Sequence, residues 1–341
     1  MKKLILVTAI AAACAAPMAV MSDSDTTLYG QLRYSINSVN EDGVGKDRDG
    51  LSGEDNVSLF GVKGSYGEDI KAFFHLQTGA PADADKDGTA FKQRFYFGGL
   101  SGGFGKAAYG RMTNAYKFPG FKLDPFYNWS HINAGGVFAS GGATYGLSPA
   151  TNGFTDNALQ YTSPSLGGFK LLGGVYIDDS NEDDAGYTLG GVYTGDAFNV
   201  GVAYGANGKT AQTLPGIATD EDALRVYGGY NGDRWSIAAS YEKVNIVDPT
   251  LVDPLNVEKV DYLYVPAQWK ATDKVRLALA PGWVSKGSAE GWGLTGGVFW
   301  TVAKHADLVL SGSWADIKGN DYNGGIDASP YTITVGAIHK F

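Results

Sequence analysis

Beyond its first two dozen residues the chain changes character at every second position. In residues 28–36, Leu28, Gly30, Leu32, Tyr34 and Ile36 share one face, while Tyr29, Gln31, Arg33 and Ser35 share the other. Phe198, Val200, Val202 and Tyr204 alternate with Asn199, Gly201, Ala203 and Gly205 in the same way. Trp292, Leu294, Gly296, Val298, Trp300 and Val302 repeat the pattern near the other end. A period of two puts successive side chains on opposite faces of a strand. No useful length of helical periodicity follows residue 22, so the expected fold is all-β.

The connections decide which all-β fold. Short turns are expected at 67–69, 101–105, 165–168, 196, 232–233, 272–273 and 304–305. Longer loops are expected near 39–55, 80–90, 114–156, 178–186, 206–222, 245–257, 286–291 and 317–329. Seven short and eight long connections require sixteen strands, with both ends of the barrel domain on the short-turn side. Tight turns on one side and long loops on the other are the asymmetry of an outer-membrane barrel. A soluble sandwich would also alternate, but its second face would be apolar. Here the apolar face carries Tyr, Trp and Phe near strand ends, as interfacial girdles do. The opposite face is polar or glycine and suits water. Only a closed barrel lets strands span a bilayer, because it pairs every backbone group. Sixteen strands leave an aqueous channel. Pro266 and Pro281 fall inside expected strands, where each removes a ladder hydrogen bond and suggests a bulge.

Residues 1–22 read as a secretory leader: Lys2 and Lys3, an apolar run from Leu4 to Ala16, then small residues before a cut after Ser22. A lipoprotein reading would lipidate Cys14, but Ala11 stands where leucine is usual. Beyond the leader no run of ~20 apolar residues occurs, which excludes a helical membrane bundle. Without Lys2 and Lys3 the 27 basic residues fall to 25 against 36 acidic ones, a net charge near −11. Such a chain is a poor nucleic-acid binder. The chain's one cysteine is in the leader, so residues 23–341, read as one barrel domain, are exported without disulfides.

Several pieces, in order, resemble the Gram-negative general porins. They are Leu28-Tyr29-Gly30, Phe60 to Ser65 with Lys71 to Leu76, Arg94 through Gly105, Gly110-Arg111, Asp156 to Pro164 with Gly168-Phe169, and the terminal Phe341. The resemblance implies a homotrimer of sixteen-stranded antiparallel barrels in the outer membrane of a Gram-negative bacterium, in contact with lipid and lipopolysaccharide. It implies that the third external loop, residues 114–156, folds into the bore. It also implies passive diffusion of ions and small hydrophilic solutes, with no enzyme activity and no cofactor. Phe341 is the terminal aromatic that the barrel-assembly machinery reads in similar proteins; His339 departs from the pattern.

A pore selects by diameter and by charge at its narrowest point. Alternation puts Arg33, Lys63 and Arg94 on the lumen side, and Arg111 stands at the root of the inserted loop. Similar porins oppose a basic wall with acids on that loop. Here Leu59 stands where relatives often carry arginine, and the loop's usual acidic segment is replaced by Phe118 to Asp124. Across the loop Lys117 and Lys122 face Asp124 and Asp156, so the expected transverse field is weak, with Asp124 the loop acid of the constriction. Tyr116 and Phe121 belong to an aromatic set that either packs the loop to the wall, the preferred reading, or forms a sugar-stacking track. A solute-selective channel for a sugar or an anion is the alternative function.

The first external loop gathers Glu41, Asp42, Asp47, Asp49, Glu54 and Asp55, and the fourth Asp178, Asp179, Glu182, Asp183 and Asp184. This is a solvated rim, or a device that enriches cations or bridges lipopolysaccharide through divalent ions. Asp83 to Gly88 resembles half an EF-hand, but Arg94 stands where the loop's final glutamate is required. Gly99 to Gly103 fits a nucleophile elbow yet falls in an expected hairpin turn. His75, His131, His305 and His339 lack metal-ligand spacing, so no metal is expected.

Overall fold

A computed structural model of the protein describes residues 25–40, 49–80, 91–117, 123–127, 129, 146–148, 150, 154–177, 184–209, 213–215, 217–247, 257–286, 289–318 and 329–341. The expected leader, Glu41, Asp42 and Asp47, the partial EF-hand, Phe121, Lys122 and most of the fourth loop's acids lie outside the described residues.

The strands are β1 (Asp25–Asn40), β2 (Gly50–Asp55), β3 (Leu59–Tyr66), β4 (Ile70–Gly79), β5 (Lys92–Gly102), β6 (Gly105–Met112), β7 (Thr155–Thr162), β8 (Phe169–Ile177) and β9 (Ala185–Thr194). They continue as β10 (Phe198–Ala206), β11 (Asp222–Asn231), β12 (Trp235–Val247), β13 (Val257–Tyr264), β14 (Ala267–Lys270), β15 (Val275–Lys286), β16 (Ala289–Ala303), β17 (Ala306–Lys318) and β18 (Tyr331–Lys340). All pair antiparallel with their neighbours, and β1 closes the ring by pairing with β18 on one side and with β2 and β3 on the other. β2 and β3 together make one stave, as do β13 and β14, so the eighteen described segments form sixteen staves.

Why the wall has two faces follows from the alternation. Leu28 and Val335 are 68% and 58% exposed on the outside, where lipid would cover them. Apolar area spread round the whole barrel in this way would not stay soluble in water. Near the short turns the outer surface carries ring clusters: Phe169 on Tyr193 at 4.7 Å, and Tyr230 on Trp235 at 4.7 Å. These are girdle residues, with an apolar body and a polar tip.

All seven expected short turns are present, with glycines at positive φ where the chain reverses at Gly67, Gly105 and Gly168. The long loops are less regular than expected. Gly50–Asp55 lies inside the first expected loop but is a strand, pairing Ser35 with Glu54 and Asn37 with Ser52. Residues 286–291 are mostly strand too, since Lys286 pairs with Ala289. The two prolines part company. Pro266 separates β13 from β14, its carbonyl accepting from Ala238 N. Pro281 stays in an unbroken β15–β16 register opposite Leu294.

One stave breaks beside Arg33. Residues 56–58 interrupt β2 and β3, and Val57 holds φ of 72°, an unfavourable angle for a β-branched residue. Neighbours hold the kink. Gln31 Nε2 donates to Val57 O at 2.8 Å, Arg33 N to Ser58 Oγ at 3.0 Å, and Asn56 N to Arg33 O at 2.9 Å.

Candidate functional site

The third loop leaves β6 at Thr113 and rejoins the wall at β7. Its described parts run round the inside of the barrel. Ala115 N donates to Tyr176 Oη on β8 at 3.3 Å. Tyr116 Oη donates to Glu242 on β12 at 2.9 Å, and Arg225 Nη1 on β11 donates to the Tyr116 carbonyl at 2.8 Å. Tyr264 Oη on β13 donates to Asp124 at 2.6 Å. Phe126 packs on Phe299 of β16 at 5.5 Å. Arg33 on β1 reaches the loop at Tyr127, donating from Nη1 to its carbonyl at 3.0 Å, and lies over the Trp129 ring at 4.7 Å. The described parts of the loop thus touch the wall at β8, β11, β12, β13, β16 and β1.

Two glycines make room for it. A Cβ at Gly297 would stand 2.9 Å from Phe126, and one at Gly336 would stand 2.7 Å from Trp129. Both glycines face inward, so side chains there would lift the loop from the wall.

The strongest anchor is a buried ion pair. Arg225 and Glu242 are cross-strand partners, fully buried and 2.6 Å apart. Glu242 also accepts from Ser148 N at 3.1 Å and Ser148 Oγ at 2.5 Å, which ties the far limb of the loop to the same carboxylate. Pairing and hydrogen bonding offset the cost of burying two charges. Sequence reading gave neither residue a role. Their inward parity was legible, but their mutual register was not.

On the opposite arc the structure gathers three of the four expected wall cations. Arg94 Nε donates to Gln77 at 2.7 Å and lies 4.8 Å from the Phe154 ring centre. Arg111 lies 5.5 Å from the same centre and bonds Asp156 at 2.5 Å. Arg33 stands at the kinked stave. Arg94 reaches the lumen by a route different from the one expected. β5 turns Phe95 and Phe97 inward, so simple alternation would send Arg94 to lipid. A bulge leaves Arg94 unpaired between Gln77↔Phe95 and Thr78↔Gln93, and turns it inward.

Lys63 lies elsewhere. It pairs with His75 and Thr27, further toward the short turns, and joins Lys106 on the wall below. Lys117, on the loop, is 4.9 Å from the Phe154 centre and buried. Burial, then the nearby Arg94 charge, pulls its ammonium down to about 7. Three cations therefore surround one ring, Phe154.

Asp124 faces the wall rather than the opening. Its Oδ1 takes Tyr264 Oη and Phe126 N, and its buried Oδ2 has no hydrogen-bond partner among the described residues. Burial raises its carboxyl to about 6, against the lowering pull of those two donors. Of the expected loop residues, Tyr116 and Lys117 are described and buried, whereas Phe121 and Lys122 are outside the described residues.

The described parts of the loop 206–222 also fold inward, which its polar composition did not suggest. Leu214 and Ile217 are buried against inward Gly205, and Asn207 collects their carbonyls. Below the third loop lies a chamber of about 1010 Å³ bordered by His75, Phe97, Lys106, Gln160 and Lys170. The described residues thus bring a chamber, an inserted loop and a basic arc together inside the barrel.

Comparison with known proteins agrees with this geometry. A family model described as Gram-negative porin matches residues 8–339. Outer membrane porin protein 32 of Delftia acidovorans is 30% identical over 249 residues, 68% of this chain and 66% of that protein. An outer membrane porin protein of Bordetella pertussis is 26% identical over 269 residues, 72% of this chain and 60% of that protein. The chain thus spans just under two thirds of these relatives' lengths. Among solved structures, an anion-selective porin from Comamonas acidovorans superposes with a TM-score of 0.74 at 19% identity, covering 94% of this chain and all of that one. OmpT of Vibrio cholerae, described in a trimer form, gives 0.65 at 16% identity over 93% and 99%. The chain belongs to the Gram-negative porin family, and its sixteen-stave barrel is a barrel of the outer membrane.

Proposed function

We propose that the protein is a water-filled channel for passive diffusion of ions and small hydrophilic solutes, and that it passes anions more readily than cations. One observation carries the second half. Arg33, Arg94 and Arg111 stand on the inner wall with Lys117 buried beside them, a basic excess over Asp156, which pairs with Arg111, while Asp124 is turned into the wall. A low-dielectric wall lined by one sign of charge concentrates counter-ions at the opening. The similar Comamonas structure, named anion-selective, supports the same sign.

The constriction in this reading consists of Arg33, Arg94 and Arg111 on the wall and Lys117 on the loop, with Tyr116 and Asp124 holding the loop in place. Lys63 acts below, on the wall beside Tyr29 and His75. Three copies assemble, as in the trimer form named for the Vibrio protein. Residues 1–22 direct export, and Phe341 guides assembly into a membrane bearing lipopolysaccharide. Purified protein in planar bilayers should give ohmic conductance steps in groups of three. Folded barrels that pass no current would overturn the channel reading.

A further inference from the structure

The wall below the opening carries rings that a simple salt channel has no need of. Phe73 and His75 on β4 and Phe95 and Phe97 on β5 point inward, and Phe154 joins them from the end of the third loop. Successive ring centres lie 5.1 Å apart from Phe154 to Phe95, 4.7 Å to His75, 5.3 Å to Phe97 and 6.4 Å to Phe73. His75, Phe95 and Phe97 border the chamber. Elsewhere the chamber wall mixes polar or small residues, Gln160, Thr162, Gly190 and Asn199, with Leu172, Val192 and the single ring of Tyr227. The described rings in mutual contact lie on the β4–β5 arc.

Cations stand at both ends of it. Arg94, Arg111 and Lys117 surround Phe154, and Lys106 Nζ lies 4.3 Å from the Phe73 centre and 5.8 Å from that of Phe97. Such a surface offers positive charge beside flat apolar area. A small inorganic anion uses only the charge. A neutral sugar would need hydroxyl acceptors and coplanar rings in series. Here most successive rings meet edge to face, at 81°, 65° and 73°, and the flanking charges are an excess of cations, with Asp156 paired to Arg111. An aromatic cation would be repelled at both ends. The solute that uses both features is a planar ring bearing a carboxylate, its ring against Phe95 and Phe97 and its carboxylate on the cations.

We infer that this pore holds a retention site for monocyclic aromatic carboxylates along β4 and β5. The inference rests on the channel reading above and names the solute class of that path. The test uses the full-length purified protein in planar bilayers, carrying chloride current. Benzoate and cyclohexanecarboxylate are added in turn; they share charge and approximate size but differ in aromaticity. Benzoate should inhibit the chloride current at a concentration roughly two- to tenfold lower, the range a favourable ring contact supplies. Measured against each variant's own chloride current, that ratio should fall toward one in Phe97→Leu and in Phe95→Leu. Equal inhibition by the two acids in the unaltered protein overturns the inference while leaving the channel reading intact. A ratio unchanged in both variants overturns this location. Absence of chloride current from folded barrels overturns the channel reading, and this inference with it.

Discussion

At the residue scale, charge at the opening depends on where single side chains are held. Lys117 is half charged near neutrality because burial and Arg94 bring its ammonium down to about 7. Asp124, raised to about 6 by burial, loses its charge below that pH. Both changes have the same sign, since acidification protonates the lysine and neutralises the carboxylate. Anion preference should therefore rise as pH falls from 8 to 5, and the reversal potential under a salt gradient checks it. Lys117→Met should remove the upper part of that titration, between pH 8 and 6. A pH-independent reversal potential would count against Lys117 at the opening. Arg94 shows how far sequence reaches at this scale. Its residue type and its resemblance to a family wall position were readable, but its inward direction comes from a bulge against Gln77 and Thr78. A bulge depends on a partner strand, so alternation along β5 could not reveal it.

At the element scale, the third loop is held by the wall rather than by its own sequence. Its length and aromatic content made an inserted loop legible. Its anchors were not, because Arg225 and Glu242 meet it from β11 and β12 at sequence distances of 109 and 126 residues from Tyr116. Glu242→Ala would leave Arg225 buried without its partner, at a cost of about 3–5 kcal/mol. It would also release Tyr116 and Ser148 together. The heat-induced unfolding midpoint should fall, and open-channel current noise should rise as the loop loosens. The paired replacement Arg225→Met with Glu242→Leu should recover much of the midpoint but not the quiet current. Recovery of both would mean that the pair stabilises the barrel without holding the loop. Gly50–Asp55 shows the opposite failure. Its glycines and acids read as loop, yet pairing with β1 makes it strand, and that contact is non-local.

At the scale of the whole molecule, closure joins the two ends of the described chain. Gly30 N donates to Phe341 O at 2.9 Å, Phe341 N donates back to Gly30 O at 3.1 Å, and the Phe341 ring covers Gly30 so closely that a Cβ there would stand 2.3 Å from it. Gly30→Val should therefore lower the yield of heat-modifiable, folded barrel on gels; an unaltered yield would show that the seam tolerates displacement of the ring. Barrel class and strand number were legible because bilayer, alternation and turn asymmetry constrain every stave alike. The charge of the bore was less legible. An acidic chain encloses a basic arc, and only the closed ring shows which charges face each other. The measurement that reaches this claim most directly is the reversal potential of the purified channel in a potassium chloride gradient, with Arg94→Gln measured beside it. The expected potential has the sign of chloride preference and moves toward zero in the variant. A potential of the cation sign, or one that Arg94→Gln leaves unmoved, would contradict a basic opening set by that arc.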